Sequence, residues 1–358
     1  MSFTFLSALL LFGFVIFIHE LGHFLLAKVN GVKVLKFSLG FGPKIIGKKI
    51  GDTEYLISAF PLGGYVKMLG EDADEIIENS EKDKAYNNQP VHKRASIILA
   101  GPIFNILSAV VIFFFIYSIG IPVLLPVVGE VMPETPASRA MLLKGDRILE
   151  VDNKKVQYWE DVTEIIHRSA NKPLKLKIQR GSEILILSIT PEKKVVKDIF
   201  GEDKEIGLIG IKPSGETIKV KNDIFTSIKN AFLKTIDICI MTGIGIIKLI
   251  QRIIPADTIG GPIMILQIAE KQATTGALNF FAFAALISIN LGILNLLPIP
   301  ILDGGHLLFL SIEAIRKRPL SEKTMIIAQR IGLIFIISLM MFAFYNDILR
   351  ILSGKPLP

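Results

Sequence analysis

Cysteine is almost absent from this chain. Cys239 stands alone in 358 residues, so there is no intrachain disulfide and no cysteine-rich metal site, and the redox compartment is left open. Charge is also scarce. Asp, Glu, Lys and Arg make up 20% of the residues against 51% hydrophobic, and the mean hydropathy is +0.52. A soluble protein of this length does not expose so little charge, and the composition points to several membrane spans. The net charge of +7 does not imply nucleic acid, because Lys and Arg gather at the cytoplasmic flanks of membrane helices. An aromatic and basic recognition pattern is missing, so no nucleic-acid partner is expected. The N-terminus lacks the basic start and the small-x-small cleavage site of a secretory signal, and its long apolar run reads as a retained span.

Four stretches reach the roughly twenty apolar residues that cross a bilayer as helix: 3–27, 95–120, 279–300 and 325–349. Lys28, Lys33 and Lys36 come after the first, and Lys82, Lys84, Lys93 and Arg94 precede the second. Arg316, Lys317, Arg318 and Lys323 lie between the last two. By the excess of positive charge on cytoplasmic loops, 28–94 and 301–324 are inside. The N-terminus, the C-terminus and 121–278 are outside.

Histidine is rare too, five in the whole chain, yet two of them fall in His19-Glu20-Leu21-Gly22-His23 within the first span. Imidazoles four residues apart share a helix face and can hold one zinc ion. Glu20, one step round, can take a proton from a water at that metal. Ionisable groups at this depth are unfavourable in hydrocarbon, which makes them candidates for function. The alternative is a chance match, two buried histidines satisfied by neighbours.

Between the first two spans, 32–70 alternates apolar and polar residues with glycine punctuation, predicting short strands lying against the membrane near the zinc site. The acidic stretch from Glu71 to Lys84 reads as a mobile solvated loop without chemistry. From Pro126 to about Lys193 the pattern is that of a small α+β domain. Val127–Val131 is a strand, Lys144–Leu149 a turn into a second one, and Leu174–Gln179 and Ile184–Ile189 the closing strands, with Ala137–Leu142 and Trp159–Ser169 as helices. Residues 223–254 are rich in Ile but broken by Lys229, Lys234, Asp237 and Lys248. They are expected to form an amphipathic helix on the outer surface rather than a fifth crossing.

The third span leads through Asn290 and Asn295 into Pro298-Ile299-Pro300-Ile301-Leu302-Asp303-Gly304-Gly305-His306. Catalytic zinc usually has three protein ligands and an open position. Asp303 is the natural third ligand, with His306 a rival and a plain Asp-Gly turn the simplest alternative. The two prolines break the helix beside it.

His-Glu-Leu-Gly-His early and Asn-Leu-Leu-Pro-Ile-Pro-Ile-Leu-Asp-Gly-Gly late resemble the site-2 protease family of intramembrane zinc metalloproteases. Gly101-Pro102-Ile103-Phe104-Asn105 resembles the family's Gly-Pro-x-x-Asn helix, and Gly261-Pro262-Ile263 the loop before its third span. Thr135-Pro136-Ala137 followed by Gly145-Asp146-Arg147-Ile148-Leu149 resembles a PDZ domain of bacterial proteases, and so points to the regulator-of-sigma-E branch. Many relatives carry two PDZ modules in tandem, whereas this chain has room for one. The resemblance implies that Asn290 and Asn295 hold the substrate backbone, their alternative being polar glue between helices. It implies as substrates single-span anti-sigma factors and signal-peptide remnants. PDZ domains bind extended peptide C-termini by strand addition, though a rigid spacer is the plain alternative.

The reading is a mostly α polytopic protein of the bacterial inner membrane, with four transmembrane helices, a membrane-associated β-hairpin region and an inserted PDZ domain. Residues 1–120 form the first membrane half, 121–215 the extracytoplasmic PDZ domain, 216–278 the interfacial helix and loop, and 279–358 the second membrane half. Its function is zinc endopeptidase, cleaving transmembrane segments within the bilayer, with an active site toward the cytoplasm. His19, His23 and Asp303 are the metal ligands, Glu20 is the catalytic base, and Asn290 and Asn295 bind substrate. Two other classes are a zinc-binding but inactive scaffold presenting a PDZ domain and a membrane metalloprotease with a cytosolic, Glu-liganded site. The scaffold has no use for Glu20, and the second Glu-rich helical motif that a Glu-liganded site needs is missing.

Overall fold

A computed structural model describes residues 3–71, 76–354 and 356–357 of the protein. They fall into two compact units. The first takes Met1–Ile116, Ser227–Ile246 and Pro255–Pro358, and the second Tyr117–Thr226 and Ile247–Ile254.

The first unit begins with α1 (Phe3–Val29), which carries His19, Glu20 and His23. Two strands come next, β1 (Val34–Ile50) and β2 (Thr53–Met68). The short strands expected over 32–70 are in fact two long, irregular ones. Glycines and bulges bend them, so that Lys36–Leu39 pairs with Glu54–Ile57 and also with Gly64–Lys67. Phe41, Ile45, Ile46, Ile50 and Phe60 are exposed on this hairpin, an apolar surface suited to lipid. Its other side packs into a core of Phe24, Ala27, Val32, Val34, Phe37, Met68 and Ile97.

Residues 72–75 of the acidic stretch lie outside the described residues. The remainder of that stretch is tied down rather than solvated on all sides. Lys33 pairs with Glu81, the Lys33 N–H bonds the Lys84 carbonyl at 3.0 Å, and Tyr86 N–H bonds the Leu69 carbonyl at 2.7 Å. These bonds occupy backbone groups at the ends of β1 and β2 and hold the segment against the hairpin. The chain then enters α2 (Val91–Ile119), with Pro102 in its interior.

The second unit opens with β3 (Ile121–Leu124), β4 (Val128–Val131), α3 (Pro136–Arg139), β5 (Arg147–Val151), β6 (Lys154–Lys155) and α4 (Trp159–His167). It continues through β7 (Leu174–Arg180), β8 (Glu183–Ile189), β9 (Glu192–Lys197), β10 (Asp203–Leu208), β11 (Ile211–Pro213) and β12 (Thr217–Val220). Strands β6-β5-β7-β8 form one sheet, and α4 covers the buried core of Val128, Ile148, Val151, Val162, Leu176 and Ile178. The helix expected over Ala137–Leu142 is the shorter α3, capped by Thr135. Strands continue past Lys193: β11 returns to β4, and β12 pairs with β3. Asp146 of the Gly-Asp-Arg turn is buried and takes two 2.7 Å bonds from Arg180, so that motif serves the domain's own stability.

Next comes α5 (Ile224–Ile250), a single helix capped by Asp223. In the first unit α6 (Pro262–Thr275) packs against α1 and against α7 (Ala277–Asn295). The Gly261-Pro262 segment is thus a helix start rather than only a loop. α8 (Asp303–Arg316) and α9 (Glu322–Leu352) complete the chain. Asp347, buried in α9, accepts bonds from the Gly261 and Met264 N–H groups at 3.1 and 3.0 Å and so caps α6. The region 301–324, expected as a loop, is mostly α8.

Among the described residues four helices are long and apolar enough to cross a membrane: Leu9–Val29, Val91–Ile119, Ala277–Asn295 and Glu322–Leu352. They correspond to the four expected spans. The third ends at Asn295 rather than 300, because Pro298 and Pro300 cannot continue a hydrogen-bonded ladder.

Candidate active site in the first unit

Helix periodicity puts the His19 and His23 rings side by side on α1, with Nε2 atoms 3.1 Å apart. They face α2, where two glycine contacts allow the close approach. A Cβ on Gly22 would lie 2.5 Å from the Ala100 carbonyl oxygen. One on Gly101 would lie 2.4 Å from His23 Nε2 and 2.8 Å from His19 Cε1. Pro102 provides no N–H for the Ile98 carbonyl, four residues before it. In that turn the Ile97 carbonyl lies 2.9 Å from His23 Nδ1 and accepts its proton.

Asp303 is the first residue of α8, reached through the broken segment after Asn295. The fold makes that sharp return possible through glycine: a Cβ on Gly304 would lie 2.3 Å from the Leu296 and Leu297 carbonyl oxygens, and one on Gly305 2.3 Å from that of Ile299. The return brings Asp303 Oδ2 to 3.1 Å from His19 Nε2 and Oδ1 to 3.6 Å from His23 Nε2. Ligand atoms of His19, His23 and Asp303 all lie within 4.8 Å of one another. Tetrahedral zinc with bonds of about 2.0–2.2 Å sets its ligand atoms about 3.3–3.6 Å apart, so the spacing fits. Asp303 Oδ2 is buried without a hydrogen-bond partner, as expected of an oxygen reserved for a cation.

His306, the rival ligand, is not in this group. It lies in α8, its ring near that of Phe309. Glu20 points to the hairpin, where the Val66 N–H bonds its carboxylate and Gly64 leaves room for its side chain. Asn295 Nδ2 lies 3.4 Å from His19 Nε2, at the cluster. Asn290 is held elsewhere on α7, its Oδ1 accepting from Thr242 Oγ1 at 2.8 Å. Sequence reasoning gave no role to Asn105, whose Nδ2 lies 3.4 Å from His19 Nδ1. The Gly-Pro-x-x-Asn spacing was its signal. Thr242 left no comparable trace.

A membrane-crossing helix with paired imidazoles and an adjacent glutamate, met by an aspartate at the start of the helix after the third span, describes a class, the membrane-embedded metallopeptidases. Comparison with known proteins agrees. The model of peptidase family M50 matches residues 7–339. A Campylobacter jejuni protein named as a candidate zinc metalloprotease is 39% identical over 353 residues, covering 98% of this chain and 95% of that protein. The regulator of sigma-E protease of Escherichia coli is 32% identical over 448 residues, covering 96% of this chain and 98% of that protein. A PDZ domain of an SdrC-like protein from Listeria innocua aligns with 26% of this chain and 96% of its own, at 24% identity and a TM-score of 0.21. The chain belongs to peptidase family M50, the site-2 protease family, and is an intramembrane zinc metallopeptidase.

Proposed function

We propose that His19, His23 and Asp303 hold one zinc ion and that Glu20 is the acid–base group of peptide hydrolysis within the bilayer. The observation carrying this reading is the convergence of the three donor groups within 4.8 Å, drawn from α1 and α8. A zinc ion bound there supplies Lewis acidity, polarising a carbonyl and lowering the pKa of water. Glu20 accepts a proton from the attacking water and returns it to the departing amine. The Val66 N–H keeps its carboxylate on the hairpin side of the cluster.

A transmembrane helix hides its peptide bonds and must unwind to be cut. The edge of β2 around Gly64 carries no further strand among the described residues and is suited to receive it as an added strand, while the Val66 and Met68 N–H groups beyond it are already bonded to Glu20 and Glu71. Asn295 lies where its amide can hold the substrate backbone near the cluster. Asn290 serves the same chain after exchanging its bond to Thr242. The substrates are single-span membrane proteins, such as anti-sigma factors trimmed outside, and signal-peptide remnants. The second unit is a PDZ domain outside the membrane that takes peptide C-termini, and α5 lies along the outer surface.

The test combines metal analysis of the purified full-length protein with cleavage of a transmembrane reporter. One zinc per chain with cleavage supports the reading. Zinc bound without any peptidase activity would favour the scaffold.

A further inference from the structure

Two amides face the two ring nitrogens of His19. Asn105 Nδ2 is 3.4 Å from Nδ1, and Asn295 Nδ2 is 3.4 Å from Nε2. A neutral imidazole has one N–H and one lone pair, so it cannot accept from both. One amide must present its oxygen instead, a half-turn that leaves its heavy-atom outline unchanged. The structure selects Asn105. The residue is fully buried and its Oδ1 makes no bond that a half-turn would break, while a metal on Nε2 leaves the ring's one N–H on Nδ1, which needs an acceptor. On the other imidazole the Ile97 carbonyl, which can only accept, already fixes the proton on His23 Nδ1 and leaves Nε2 bare.

We propose that Asn105 is a positioning residue whose side-chain carbonyl accepts the Nδ1–H of His19, so that the His19 Nε2 lone pair faces the metal. α2 would then set both histidines in the same tautomer, one through a backbone carbonyl and one through a side chain. With Nδ2 toward His19, Nδ1 would have to accept. The proton would sit on Nε2, 3.1 Å from His23 Nε2, where it obstructs coordination. Asn105 is itself held firmly. Its backbone carbonyl accepts from Ser288 Oγ at 3.0 Å and from Ser108 Oγ at 2.8 Å, tying this turn of α2 to α7. Partners that orient metal-binding histidines typically influence affinity by about 10–100-fold.

The inference rests on the metal-site reading above, and the experiment separates the two. Full-length wild type, Asn105→Leu and Asn105→Asp are purified, and zinc affinity is measured by competition with a chelator. Metal-free thermal unfolding is measured alongside. Aspartate can only accept at this position, whereas leucine matches the volume without an acceptor. Asn105→Leu is expected to bind zinc about 10–100-fold more weakly, while Asn105→Asp stays within about three-fold of wild type or binds more tightly. Leucine at wild-type affinity, or aspartate weakened as much as leucine, overturns the proposal. If the leucine variant does not fold, aspartate decides alone: retained affinity supports the role and a ten-fold loss refutes it. A wild type that binds no zinc would refute the metal site itself.

Discussion

Glu20 and the three donor residues are neighbours with different consequences when changed. Glu20→Gln keeps the size of the side chain and leaves every proposed ligand in place, so zinc content should be unchanged. Cleavage should fall by about 10²–10⁴-fold, the usual contribution of a positioned acid–base group. Wild-type turnover in that variant would remove Glu20 from the mechanism. His19→Ala, His23→Ala and Asp303→Ala should each lower both metal content and activity, because three protein donors are the working minimum of a catalytic zinc site. His306→Ala should keep its zinc, as its ring lies outside the cluster. Full metal in Asp303→Ala together with loss in His306→Ala would reverse that assignment.

At the level of elements, the site depends on how closely α1 and α2 approach. Gly101 is where the imidazoles press on α2, and a methyl there would sit 2.4 Å from His23 Nε2. Gly101→Ala adds only one carbon and favours helix locally, yet it must push both rings aside. Zinc affinity should fall by about ten-fold or more, the order seen when ligand orientation is disturbed. Chelator competition measures it, and an unchanged affinity would mean that the helices separate without cost to the site. The broken segment between α7 and α8 works by the same close contact, with Gly304 and Gly305 against carbonyls that no Cβ could approach.

For the whole molecule, two predictions concern the second unit and α5. Excising 127–193, the domain core suggested by sequence, would cut β4 away from its partner β11. Strands β3 and β12 pair Ile121 with Val220, so removing 121–220 joins neighbouring ends through a short linker. None of the proposed metal-binding, acid–base or substrate-binding residues lies in that span, and the shortened protein should bind one zinc and cleave a generic reporter. Its choice among natural substrates should change, and unchanged processing of all of them in cells would make the domain a spacer. α5 bears on the depth of the site. If it crossed the bilayer, α7 would run outward and Asp303 would end far from His19. In a Cys239→Ser background, Lys221→Cys and Asp257→Cys should both react with a membrane-impermeant thiol reagent added outside intact cells. Protection of Asp257→Cys alone, reversed in inverted vesicles, would establish a fifth span and contradict the proposed topology.

What the sequence determined by itself is what repeats over a few residues. Apolar runs gave the four helices long and apolar enough to cross a membrane, since a bilayer imposes a minimum length that shows directly in composition. His19 and His23 were legible as a pair because one helical turn fixes their spacing. Asp303 was legible only as a candidate beside His306, and its place was decided by the proline break and the glycine contacts that start α8 against the end of α7. Tertiary structure also decided the doubled pairing of β1, which depends on bulges that alternation does not encode. It decided α6, whose N-terminus is capped by Asp347 far along the chain. Asn105 beside His19 belongs to the same group. A polar residue in an apolar helix shows in sequence, but the ring nitrogen it meets depends on how two helices cross.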